Sequence, residues 1–182
     1  MTLIILTEEA SMKTTLQHLL PKIGVDLSTV TIIAHQGKSD LEKSIPRKLR
    51  GWQDPTARFL ILRDNDRGDC RLRKSHLAEM VFNAGKTQKS KVRIVCQELE
   101  SWFLADVPAL TLAGYVVLGK QPKFASKDPD TISHPVHEME KLRPGYGKVS
   151  GAAAIAPHLD PNNVRSASFR NTVQAIRDLI AA

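Results

Sequence analysis

Cysteine is nearly absent from this chain. Its 182 residues contain two, Cys70 and Cys96, far apart and without C-x-x-C spacing. That excludes a disulfide scaffold and a cysteine-based zinc centre, and it fits two small buried thiols in a reducing cytoplasm. Long apolar runs are missing too. The opening MTLIILTEEA holds only Leu3 to Leu6 as a continuous apolar stretch, has no basic start and turns acidic at once. Neither a signal peptide nor a membrane span is expected, so the chain reads as a soluble cytoplasmic protein. Aromatic residues make up 5% of the chain, with two tryptophans and two tyrosines, which leaves few rings to stack on bases. There is no internal repeat and no low-complexity tract.

What is present is an ordinary globular composition: 42% hydrophobic and 25% charged residues, enough to bury a core in a chain of this length. The net charge of +7 suits an anionic partner such as nucleic acid, and serves solubility equally well. Four short runs rich in β-branched residues, Thr2–Leu6, Val30–Ala34, Phe59–Leu62 and Val92–Cys96, are almost continuously apolar. Parallel strands covered on both faces look like this. Between them Met12, Leu16, Leu19 and Ile23 recur at helical spacing, as do Leu41, Ile45, Leu49 and Trp52, and Leu77, Met80, Val81 and Ala84. Pro46 is expected to kink or split the second of these helices. The order β-α-β-α-β-α-β predicts an α/β protein with a mainly parallel four-stranded sheet and right-handed crossovers. Beyond Trp102 the strand signal fades. Short helices are expected around Pro108–Val117 and Val136–Leu142, an Ala-rich stretch spans Gly151–Ala156, and Phe169, Val173, Ile176 and Ile180 mark a final helix. Residues 1–106 are thus expected to form the α/β core and residues 107–182 a helical extension packed on it.

Ligands of open α/β sheets collect outside the carboxyl ends of the strands. Carboxylates follow three of the four runs: Glu8 and Glu9 after the first, Asp64, Asp66 and Asp69 after the third, Glu98 and Glu100 after the fourth. Singly, each reads as a helix-terminal charge or a solvated loop acid. Jointly they would repel one another, and a divalent cation removes that repulsion. Oxygen-only ligation without a His or Cys cluster suits Mg²⁺ or Mn²⁺. Asp64 and Asp66, two apart on extended chain, are expected to point alike and share the ion with Asp69, while Glu98 and Glu100 could carry a second. One glutamate of that last pair is equally well placed to cap the next helix.

Two motifs are excluded by spacing. Asp64-Asn65-Asp66-Arg67-Gly68-Asp69 has the look of a calcium loop, but the fifth and twelfth positions are Gly68 and Ser75 instead of acids. His35-Gln36-Gly37-Lys38-Ser39 sits where a phosphate loop would, yet Ile32 stands in place of the first Walker glycine. Lys38 with its helix amino terminus could still hold a single phosphate; a solvated lysine is the plain alternative.

The segments T-E-E-A-S-M-K-T-T-L-Q-H-L-L-P, H-Q-G-K-S-D-L, F-L-I-L-R-D-N-D-R-G-D-C and C-Q-E-L-E-S-W-F-L-A-D, followed by Y-G-K-V-S-G-A-A-A-I-A-P-H-L and R-S-A-S-F-R, resemble domain-of-unknown-function family 4276, whose members look like TOPRIM (topoisomerase–primase) domains. The resemblance runs almost the full length. It implies a TOPRIM/Rossmann-like three-layer sandwich. It also implies Glu8 as general acid or base, and Asp64 with Asp66 as Mg²⁺ ligands for phosphodiester chemistry; some relatives are nucleases in anti-phage defence. Glu9 stands where the family's first motif carries glycine, so Glu8 and Glu9 both stay candidates.

The expected activity is therefore metal-assisted phosphodiester hydrolysis, with Glu8 and Lys38 in catalytic positions. Arg63, Arg67, Arg71 and Lys74, with Lys148 and Arg165 further on, are candidates for contact with DNA or RNA backbone. The alternative is a non-catalytic TOPRIM-like subunit that recognises nucleic acid or a partner ATPase. Trp102 is expected in the core, and His76 at its edge.

Overall fold

The computed structural model describes residues 1–181; Ala182, the last residue of the expected extension, lies outside the described residues. Strands β1 (Leu3–Thr7), β2 (Val30–Ala34), β3 (Arg58–Asp64) and β4 (Ser90–Val95) form one all-parallel sheet in the order β2-β1-β3-β4. Three helices link them: α1 (Ala10–Lys22), α2 (Lys38–Gly51) and α3 (Cys70–Asn83). Then follow α4 (Glu100–Ala105), α5 (Val107–Leu112), α6 (Pro135–Leu142), α7 (Lys148–Ile155) and α8 (Ala167–Ala181).

Strand side chains alternate between two apolar layers, which is why the runs are apolar throughout. Leu3, Ile5, Leu60 and Leu62 join α1, α8 and the segment from α4 to α7 in one core. Ile4, Leu6, Phe59 and Ile61 join Leu41, Ile45 and Leu49 of α2 and Leu77 and Val81 of α3 in the other. At about 1.5–3 kcal/mol for each fully buried large side chain, both layers hold firmly to the sheet. The architecture is the three-layer TOPRIM/Rossmann-like sandwich with a C-terminal helix. Among the described residues no helix is long and apolar enough to cross a membrane.

Two helical expectations need correction. α2 runs unbroken through Pro46, because Leu41, Ile45 and Leu49 anchor it to the sheet on both sides of the proline. The helix expected over Pro108–Val117 stops at Leu112, where Gly114 turns to φ +74° and the Tyr115 amide bonds back to the Leu110 carbonyl at 2.8 Å.

From β1 the chain moves outward to β2, then crosses to β3 on the opposite side. The carboxyl ends of β1 and β3 therefore flank the switch point of the sheet, where the crossovers part and leave a crevice.

Candidate functional site

Register decides what reaches that crevice. Thr7, the last residue of β1, pairs with Leu62, so β3 runs two residues further, through Arg63 and Asp64. Asp64 still pairs with Val95 of β4 and is itself a strand residue. Consecutive strand positions face opposite ways, so Arg63 and Asp64 send their charges to opposite layers.

Arg63 is 3% exposed and turns toward α2. Its Nη1 bonds Glu42 Oε1, and its Nε lies 3.7 Å from Glu8 Oε2. The Glu8 carboxylate also accepts the Asp64 amide at 3.2 Å. Burial raises the Glu8 carboxyl above the ordinary value and Asp66 adds to that, against the pull of Arg63. A proton-handling role needs such an acid, one whose proton is not lost far below neutrality.

Asp64 is 2% exposed and Glu100, in the first turn of α4, is 0% exposed. Burial pushes the Asp64 carboxyl well above the usual range, and repulsion from Glu100 and Glu8 adds to it. Burial raises Glu100 as well. Two such charges 4 Å apart would repel by about 4 kcal/mol at an effective dielectric near 20. Partial relief comes from the C-terminal segment. The Lys148 ammonium, at the start of α7, is 3.1 Å from both Glu9 carboxylate oxygens. Burial works to lower its pKa, but Glu100 and Glu9 outweigh that and raise it. The Tyr146 hydroxyl donates to Glu100 Oε1 at 3.0 Å, and burial with the Glu100 charge raises that phenol too. The Tyr146 ring lies over Gly151, where any Cβ would collide with it. The block Y-G-K-V-S-G thus has a physical content: a hydroxyl, an ammonium and a glycine that lets the ring approach. Even so, Asp64 Oδ1 and Glu100 Oε2 are buried without a hydrogen-bond partner.

The loop after β3 departs from the extended geometry expected of Asp64 and Asp66. The Asn65 and Asp66 amides bond to the Val95 and Gln97 carbonyls at 2.9 and 3.0 Å, and Asp66 and Arg67 take left-handed φ of 48° and 61°. Such strained positions concentrate at functional loops. Asp66 therefore approaches Glu8 and is not aligned beside Asp64.

Other expected site residues are placed elsewhere. Asp69 is exposed and caps α3, accepting the Arg71 and Leu72 amides at 2.8 and 3.1 Å. Glu98 and Glu100 do not point alike, since Leu99 is already helical; Glu98 accepts the Val136 amide in the first turn of α6 at 3.3 Å. Arg63 and Lys148 are held by carboxylates. The Arg165 guanidinium binds the Ala105 and Ala125 carbonyls at 3.1 and 2.7 Å, tying loops together. Lys38 is exposed at the first turn of α2, beside the Gly37 amide that bonds the Glu8 carbonyl at 3.0 Å. Arg67, Arg71 and Lys74 are exposed. Trp102 is buried as expected and donates to Ser168 Oγ at 3.0 Å, whereas His76 is exposed, 4.0 Å from Glu42. Among the described residues no group of three or more His, Cys, Asp or Glu side chains closes around one ion-sized position. The fold therefore gathers neither expected set, Asp64 with Asp66 and Asp69 or Glu98 with Glu100, around one ion among the described residues.

Residues 6–177 match the model of the family described as "Domain of unknown function (DUF4276)". The chain belongs to this family. No curated protein matches it. Among solved structures it is similar to the C-terminal region of the Burkholderia pseudomallei OLD protein, with a TM-score of 0.62 at 17% identity over 98% of each chain. It is also similar to the C-terminal region of the Xanthomonas campestris pv. campestris OLD protein, with a TM-score of 0.58 at 18% identity over 98% of this chain and 95% of that one. At such identities the likeness is one of fold, shared by the DUF4276 chain and these C-terminal regions from end to end.

Proposed function

We propose that this DUF4276 protein is a TOPRIM-type, metal-dependent phosphodiesterase that cuts nucleic acid. The observation that carries the proposal is the convergence of Glu8, Asp64 and Glu100. These buried carboxylates follow the ends of three parallel strands, with Asp64 linking the other two: its amide bonds the Glu8 carboxylate at 3.2 Å, and its carboxyl is raised by burial and by the charges of Glu100 and Glu8. A hard cation fits the chemistry of this hollow. The donors are all oxygens, Asp64 Oδ1 and Glu100 Oε2 have no protein partner, and burial raises both carboxyls, with repulsion from Glu100 and Glu8 adding to it at Asp64. Asp64 and Glu100, whose free oxygens are the ones without a donor, would hold Mg²⁺ or Mn²⁺; Asp66 is turned away toward Glu8, and Asp69 and Glu98 are already engaged at helix termini. Bound there, the ion would polarise a phosphoryl oxygen and offset charge developing in the transition state.

The protein's own groups would do the rest. Glu8 takes the proton of the attacking water or returns one to the leaving oxygen, within a setting fixed by Arg63 and the Asp64 amide. Lys148 places a fixed positive charge over the hollow, and Lys38 can engage a phosphate at its rim. Arg67, Arg71 and Lys74 offer exposed charge to the polymer backbone. The setting suggested by the family resemblance is defence against phage, together with a partner ATPase. The OLD structures are themselves C-terminal regions of longer proteins, which agrees with such a division of labour.

One observation favours a second reading, a binding subunit without catalysis: Lys148 already lies among Glu9, Asp64 and Glu100, where a cation would act. Incubation of the purified protein with labelled DNA and RNA, in Mg²⁺, Mn²⁺ or EDTA, separates the two. Cleavage in metal is expected to fall at least 100-fold in Glu8→Gln, the lower end of what general acid–base catalysis contributes, and to vanish in EDTA. Cleavage that survives both Glu8→Gln and Asp64→Asn sinks the assignment. Binding without cleavage under every metal condition supports the subunit reading.

A further inference from the structure

A second cavity of about 480 Å³ opens along the outer edge of β4, between the first turns of α3 and α8. β4 closes the sheet, so no strand covers this edge; α3 packs on one face beside it and α8 on the other. Arg71 and Lys74 of α3 and Arg93 of β4 line the cavity. None of the three has a carboxylate partner among the described residues. Arg93 is held by carbonyls instead: its Nε donates to Asn171 O at 3.0 Å and its Nη1 to Val92 O at 3.1 Å. Asp130 is the one acid on the cavity wall, and both its oxygens are engaged, Oδ1 by Ser166 Oγ at 2.7 Å and Oδ2 by the Ser168 amide at 2.9 Å. The first-turn amides of both helices are capped as well, by Asp69, Ser166 and Asp130. Side-chain cations, not helix ends, therefore set the chemistry of this space. Three cationic side chains against the single Asp130 charge leave the wall net positive, which suits an anion.

We propose that this cavity binds the sugar–phosphate backbone of a nucleic-acid strand running away from the acidic hollow. The inference rests on the proposed function and adds where the polymer lies and how it is read. α3 begins directly behind the loop of residues 65–69, and Cys96 leads into the segment whose Gln97 carbonyl holds Asp66. A strand leaving the hollow passes the exposed Arg67 and arrives at Arg71, Lys74 and Arg93. No aromatic side chain lines the cavity, so bases are not stacked there and recognition is of phosphates, without sequence preference.

Two measurements on the full chain in EDTA test this. The first is the salt dependence of binding to a labelled single-stranded oligonucleotide and to a duplex. Arg71→Gln and Arg93→Gln should each lower the slope of log K against log [salt] by about 0.7 for the single strand or about 0.9 for the duplex. The second uses the protein's own thiols, since Cys70 and Cys96 both line the cavity. Burial, with Asp130 and Cys70 nearby, pushes the Cys96 thiol up to about 11, so maleimide alkylation at neutral pH reports the exposed Cys70. Saturating oligonucleotide should slow that alkylation several-fold. Unchanged slopes in both variants, each melting like the wild type, overturn the proposal; so does alkylation at the same rate with and without oligonucleotide. Equal protection by inorganic phosphate alone also overturns it, because the cavity would then take a single small anion. Mn²⁺-dependent hydrolysis of bis(p-nitrophenyl) phosphate by the wild type reads the acidic hollow separately. Hydrolysis with unchanged slopes defeats only the cavity proposal, and arginine-dependent binding without hydrolysis defeats only the phosphodiesterase reading.

Discussion

Arg63 and Asp64 are neighbours on one strand, equally buried, yet the two faces of the sheet treat their charges differently. On the α2 side Arg63 meets Glu42 and Glu8, and opposite charges are matched at close range. On the α1 side Asp64 meets Glu100 and Glu8, with a single lysine shared among several acids and carboxylate oxygens left without donors. The first arrangement holds a fold together. The second leaves buried acids only partly compensated, and perturbed acids of this kind gather at functional sites. Matched charge marks structure here, and unmatched charge marks the candidate site.

The contrast can be broken by mutation. The largest effect is expected from Arg63→Met, which removes the guanidinium that stands between Glu8 and Glu42. Urea denaturation at pH 7 should show a loss of about 3 kcal/mol, the lower part of the range for a broken buried pair because Glu42 is partly open to solvent. A loss well under 1 kcal/mol would mean that Arg63 is not the matched charge described here. Next comes Lys148→Met. Both Lys148 and Glu9 are about one-third exposed, so solvent screening limits the cost to about 1 kcal/mol at pH 8. That deficit should shrink as the pH falls, because Glu100 and Asp64 then take up protons and no longer need the ammonium; a deficit independent of pH would detach Lys148 from the acids.

The smallest expected effect has the opposite sign. Asp64→Asn should stabilise the metal-free protein at pH 7 by about 1 kcal/mol, seen as a rise of about 2–4 °C in Tm. The folded-state pKa of Asp64 lies above its unfolded value near 3.9. The protonated carboxyl thus favours the fold at low pH, and that stability is lost as the pH rises through the folded pKa. The advantage of asparagine should therefore be absent near pH 4 and grow toward neutrality. Equal Tm values at pH 7 would show that the Asp64 charge is already compensated.

The fold was legible because its evidence is local. Apolar runs of strand length, helical stripes and their alternation specify a parallel sheet, and carboxyl-end geometry follows from that alone. Glu8, Asp64 and Glu100 were within reach of the same argument. What escaped it depends on contacts across the chain. The sequence around Asp66 reads as extended, but amide bonds to Val95 and Gln97 turn it left-handed. Asp69 and Glu98 look like further ligands until the helix termini they cap are known, one of them in the distant α6. Lys148 and Arg165 carry the same formal charge as Arg71, and only packing separates an internal counter-ion and a loop tie from an exposed contact. Tyr146 gave no signal as an isolated tyrosine; its pairing with Gly151 in a short glycine-rich block was the available hint.

The pair formed by Lys148 and Glu9 spans 139 residues of sequence. As the protein is synthesised, Glu8 and Glu9 leave the ribosome early, and the lysine that tempers the acidic hollow follows only after most of the chain. Contacts so distant in sequence form late. The hollow therefore gains its built-in cation only when the last third of the polypeptide has docked, the same segment that covers one face of the sheet.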